Sequence, residues 1–156
     1  MYRQVNDFLN DWTVAAKGTS LVMQAMTDDK LNQSIVEGHS SLGWLSWHLV
    51  GATGFFSHLA GLQVPMLPQD APIPATVGDI VAAYENVARC VEDEVAKLSD
   101  KDLLEEVNGL NGPMARGKLL HILIDHQTHH RGQMTVLLRQ AGLPVPGIMG
   151  PTKEMQ

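Results

Sequence analysis

The segment KLLHILIDHQTHHRGQMTVLLRQ, residues 118–140, constrains this chain more than any other stretch. It carries four of the seven histidines on what reads as one amphipathic helix. Projected at 100° per residue from His126, the residues Leu119, Leu123, His130, Met134 and Leu137 all fall within roughly 80° on one side. His126 and His130 therefore lie one turn apart inside the apolar arc. His129, at roughly −60°, sits on its edge, and His121, at roughly −140°, faces away. A buried imidazole without a partner costs about 1–3 kcal/mol. At this spacing the two β-carbons lie about 6 Å apart, so one metal ion with bonds of about 2.0–2.1 Å satisfies both rings. Two ligands do not complete a site, and the rest of the chain must supply another.

A second helix provides it. Ser40 or Ser41 caps its first turn, and SLGWLSWHLVGATGFFSHLAG carries it to about Ala60. Projected from His48, the residues Trp44, Leu45, Ala52, Phe55, Phe56 and Leu59 lie between roughly −40° and 80°, with His58 at the margin near −80°. His48, His126 and His130 then form a tripod on two helices with at least one coordination position open, the mark of a catalytic site. Neutral imidazoles suit zinc or nickel first, with iron, manganese and copper behind them. Gln133, near −20° and one turn beyond His130, is placed to hydrogen-bond a water on the ion or a polar group of the substrate.

The competing ridge of His121, Asp125 and His129 lies outside the arc and reads as solvent-facing, although Asp125 or His129 could orient a ligand imidazole. Arg131, at roughly 140°, projects away from the seam and suits a salt bridge or a dimer contact. Tyr84 and Trp44 read as core residues rather than pocket walls.

The remaining segments predict two further helices. One runs from about Tyr2 to Met26 with apolar residues three and four apart, and its Gly18 suits a close helix crossing. After four prolines in the crossover loop 61–75, which exclude a helix interior, a third helix opens at Thr76 with Asp79 in a capping-box position. Its acidic outer face reads as solvated surface. SDKDLLEEVNGLNGP breaks the pattern with two Asn-Gly pairs and Pro113. Gly142 suits the left-handed cap that ends the last helix, and the tail residues Val145, Ile148 and Met149 are expected against the bundle or a partner subunit. No strand-like alternation is expected anywhere. The pattern predicts an all-α protein, a four-helix bundle with long crossover loops, as one domain over residues 1–156.

Bulk properties close off several functions. A net charge of −6 offers no basic face for nucleic acid. The single cysteine, Cys90, excludes an intrachain disulfide and fits a cytoplasmic setting. Its acidic neighbours make it a poor nucleophile. No apolar run reaches the length of a membrane span, and the N-terminus is not a signal peptide. Phosphate-cradling glycine loops, Gly-x-Ser-x-Gly elbows and His-Glu-x-x-His motifs do not occur.

The segment LIDHQTHHRGQMTVLLRQAGLPVPGIMGP resembles the C-terminal signature of the DinB/YfiT-like metal-binding four-helix-bundle family. His48 in SLGWLSWHLVG, together with His126 and His130 in HQTHHRGQ, matches that family's ligand positions, and the likeness covers nearly the whole chain. The resemblance implies long crossovers rather than plain up-and-down neighbours, a divalent metal on three histidines plus water, and a homodimer. It also implies a thiol-dependent transferase or isomerase as one activity within the family. The leading expectation is a metal-dependent enzyme acting on a small-molecule substrate or thiol, transferase or hydrolase, with entry between the helices that bear His48 and His130. The alternatives are a non-catalytic metal-binding or stress-response module with no DNA binding, and a scaffold whose histidines are packed core residues.

Overall fold

The computed structural model describes residues 1–156, and two of its four long helices open on a side-chain cap from the preceding residue. Helix α1 spans Val5–Gln24; it lacks a side-chain cap, and Asp100 Oδ1 accepts from its first amide at 2.8 Å instead. Helix α2 spans Leu42–Leu59 with Ser41 Oγ accepting from Trp44 N at 3.2 Å. Helix α3 spans Val77–Val95, where Thr76 Oγ1 accepts from Asp79 N at 3.1 Å. Helix α4 spans Arg116–Gln140. It ends as a glycine at C′ dictates: Gly142 takes φ 73° and Leu143 N donates to Leu138 O at 2.9 Å.

Helices α1 and α2 each pack against both α3 and α4. Helices consecutive in the chain, α1 with α2 and α3 with α4, thus occupy the diagonals of the bundle. This is the crossover topology, and residues 25–41 and 96–115 carry the chain across. Aromatic side chains fill the centre. Trp12 and Tyr84 are fully buried, and the Trp12 indole is satisfied by donating to Ala88 O at 3.0 Å, as a buried N–H requires.

One element departs from the sequence expectation. Residues Glu106–Gly109 (β1) and Gly112–Ala115 (β2) pair as an antiparallel hairpin, in register Glu106 with Ala115 and Val107 with Met114. The two Asn-Gly pairs that read only as helix breakers bracket its tip, and Pro113 is tolerated because a two-stranded ribbon has outward-facing edges. The hairpin contacts both α2 and α4.

The proline-rich loop lies flat along α2. Trp47 Nε1 donates to Ala71 O at 3.1 Å, and a β-carbon at Gly54 would stand only 2.5 Å from Pro65 O, so glycine is what admits the loop. In the tail, Val145 is buried and Ile148 packs against the core as expected, whereas Met149 is 89% exposed. Gly18 marks a close approach, but to the Ile148 side chain and the Arg131 guanidinium rather than to another helix backbone. No helix is long and apolar enough to cross a membrane.

Candidate metal centre

Helices α2 and α4 bring His48, His126 and His130 together, with one ring nitrogen from each lying within 4.8 Å of the others. The ring centroids are 5.0 Å apart for His48 and His126, 4.7 Å for His48 and His130, and 4.5 Å for His126 and His130. No cysteine or carboxylate joins the group. His48 Nε2 and His126 Nε2 stand 3.2 Å apart. Two nitrogens bound tetrahedrally to one ion at about 2.0–2.1 Å would stand about 3.3 Å apart. The donor set therefore fits a divalent ion.

Electrostatics favour the neutral imidazoles that metal binding needs. Burial, followed by the neighbouring His130, His48 and His129, pushes His126 down to about 4. Burial and then His130 lower His48 as well. The orienting contacts are unequal. His130 Nδ1 meets Gln133 Oε1 at 2.8 Å, whereas His126 Nδ1 is buried without a hydrogen-bond partner. Gln133 itself is exposed, and its Nε2 reaches His129 Nε2 at 3.3 Å. His129 touches the group only at its rim, by way of this amide and an edge contact with His130. Asp125 turns away to His121 at 3.5 Å and orients none of the three.

Behind the histidines lies a polar knot that helix projection did not reveal. Gln127 is fully buried. Its Nε2 donates to Thr53 Oγ1 at 2.9 Å, and its Oε1 accepts from Tyr84 OH at 2.9 Å and from Thr19 Oγ1 at 3.2 Å. All four helices meet in this one network. Burial raises the Tyr84 phenol well above its ordinary value, so it stays a neutral donor. Arg131, expected at the surface, is only 6% exposed and donates to Ala15 O at 2.9 Å. The reason is that α4 packs against α1 as well as α2, so its buried face extends past Leu123 and Gln127 to Arg131 and places the histidines on its α2 flank.

A groove beside the histidines exposes His48 and His126. Trp44, expected in the core, is 43% exposed and stacks on His48 with centroids 4.9 Å apart and planes at 6°. Phe55 is 42% exposed and lines the same groove. Helix α2 is apolar on nearly every side, so projection could not separate residues facing the core from residues facing the groove.

A crossed four-helix bundle with three converging histidines at one flank defines a class of histidine-bearing helical proteins. The chain belongs to the DinB family, whose model matches residues 1–156. It is 38% identical over 155 residues to the uncharacterized protein YrdA of Bacillus subtilis (strain 168), spanning 99% of this chain and 93% of that one. A DinB-like protein from Bacillus cereus ATCC 10987 superposes with a TM-score of 0.89 at 38% identity, over 95% of this chain and 99% of the other. The DinB-like protein YjoA of Bacillus subtilis shares the fold, with a TM-score of 0.74 at 15% identity over 94% and 99% of the two chains.

Proposed function

We propose that this protein is a divalent-metal-dependent enzyme in which His48, His126 and His130 hold the ion, zinc or nickel, and Gln133 positions His130. The observation that carries the reading is the convergence of three imidazoles with no cysteine or carboxylate among them, two of which, His48 and His126, are held neutral by burial and face a groove. A bound ion would act there as a Lewis acid, lowering the pKa of a water or small thiol so that it serves as nucleophile. The chain supplies the rest. Helix α2, the proline-rich loop and the hairpin tip wall the groove, Phe56 packs beside His126 with centroids 5.2 Å apart, and His126 Nδ1 is buried. Addition of a small-molecule thiol to an electrophile is the reaction this arrangement suits first, with hydrolysis second. The same reading takes the working form to be a cytoplasmic homodimer.

Metal content is the direct test. Prepared under metal-replete conditions, the wild-type chain is expected to keep about one divalent ion, and His130→Ala to lose most of it. Equally low metal in both proteins would overturn the proposal. A fully loaded protein that melts earlier on chelation, yet stays inert toward thiol–electrophile pairs and esters, would instead be a non-catalytic metal-binding module.

A further inference from the structure

The groove at the histidines is unusual in its chemistry as well as its place. Its volume is about 810 Å³, within the range of sites that enclose a small organic molecule. Not one aspartate, glutamate, lysine or arginine lines it. Trp44, Phe55, Ile73 and Leu110, four of the large apolar side chains the protein leaves more than two-fifths exposed, all edge this one groove. They come from three separate elements: α2, the proline-rich loop and the hairpin tip. An exposed apolar patch gathered from three elements around polar donors marks a binding site. Away from the two imidazoles and the indole N–H groups of Trp44 and Trp47, the Gln69 amide is the one polar side chain on its walls.

Charge and shape then select the occupant. An ionised group held along these walls, away from the ion the histidines would hold, would lose its hydration and find no counter-ion among the lining side chains, which is a heavy penalty. A flat ring gains instead. One face of the Trp44 indole already stacks on His48, and aromatic side chains favour further offset stacking and edge contacts. We propose that the groove takes a neutral substrate with a flat, largely apolar body and delivers its reacting atom to the His48–His126 wall. The inference rests on those histidines being the reaction centre. It assigns the uncharged partner of the reaction to the groove and leaves any charged thiol or water to approach from elsewhere.

Two probes that share a ring system and differ in charge test this: 2-naphthalenemethanol and 2-naphthoate, titrated calorimetrically into the metal-free full chain near neutral pH. Omitting the metal prevents the carboxylate from binding simply as a ligand of the ion. The neutral probe is expected to bind at least about tenfold more tightly than the anion. Phe55→Glu and Leu110→Glu, both at exposed positions, are each expected to weaken it by about tenfold or more, while circular dichroism and metal uptake stay as in wild type. Equal or tighter binding of naphthoate, binding of neither probe, or unchanged affinity in both variants would overturn the proposal. Loss of the metal-site reading would register separately, as absent metal in a protein that still discriminates between the probes.

Discussion

Gln133 Oε1 accepts a hydrogen bond from His130 Nδ1 at 2.8 Å across one turn of α4. The bond holds the ring proton on Nδ1 and so leaves the Nε2 lone pair free toward His48 and His126. Nothing comparable holds His126, whose Nδ1 has no partner. The exposed amide therefore supplies the one hydrogen bond that links the three rings to a residue outside the group.

Replacing that amide should weaken the site without weakening the fold. Gln133→Leu is expected to cost about 10–100-fold in metal affinity, read by competition with a chromophoric chelator. The urea midpoint should barely move, because Gln133 is a surface residue. Gln133→Glu keeps an acceptor for the Nδ1 proton and should recover most of the affinity. Equal affinities in wild type and Gln133→Leu would reduce the contact to a surface ornament.

The tail should loosen in acid. Arg139 Nε donates to Glu154 Oε1 at 2.7 Å and fastens the last turn of chain to α4. That bond is the main reason the Glu154 carboxyl is held down at about 2, from an ordinary value of 4.5. Between those values the undocked tail binds more protons than the docked one, so docking weakens as pH falls. The contribution is complete above about 4.5 and gone once the pH has passed below about 2. Amide protection across residues 143–156, taken relative to intrinsic exchange at each pH, should fall through that window as pH is lowered, and Glu154→Gln should abolish that fall. A protection profile that is flat in wild type would show that apolar contacts such as Val145 hold the tail alone.

The four helices and the meeting of three histidines were legible because both rest on a single period. Apolar residues three and four apart set the faces, and Ser41 and Thr76 announced two of the starts. What a single-helix projection cannot contain is the number of neighbours. Helix α4 faces both α1 and α2, so Arg131 lies inside a buried face that a one-sided arc assigns to solvent. The hairpin escaped because its strands are four residues long, too short to display alternation. Trp44 and Phe55 escaped for a different reason: burial against core and exposure in an apolar groove demand the same side chains.

Gln127 is the residue whose role only the assembled bundle reveals, and it yields the sharpest expectation about stability. Its amide is the one acceptor for Tyr84 OH, whereas Thr19 and Thr53 also donate to the backbone at Ala15 O and Leu49 O. Gln127→Leu therefore strands a buried phenol and should destabilise the fold by roughly 2–3 kcal/mol, while Tyr84→Phe leaves Gln127 Oε1 with Thr19 and should cost about 1 kcal/mol. Removing both groups eliminates the stranded hydroxyl. The double variant should be less destabilised than the sum of the singles, a coupling that a double-mutant cycle in urea measures directly. Strict additivity would mean that water replaces the lost amide and that the four helices are not tied through this residue. Because Gln127 follows His126 and joins α4 to α2 through Thr53, the same substitution should also lower metal affinity, through the spacing of the two helices that carry the histidines.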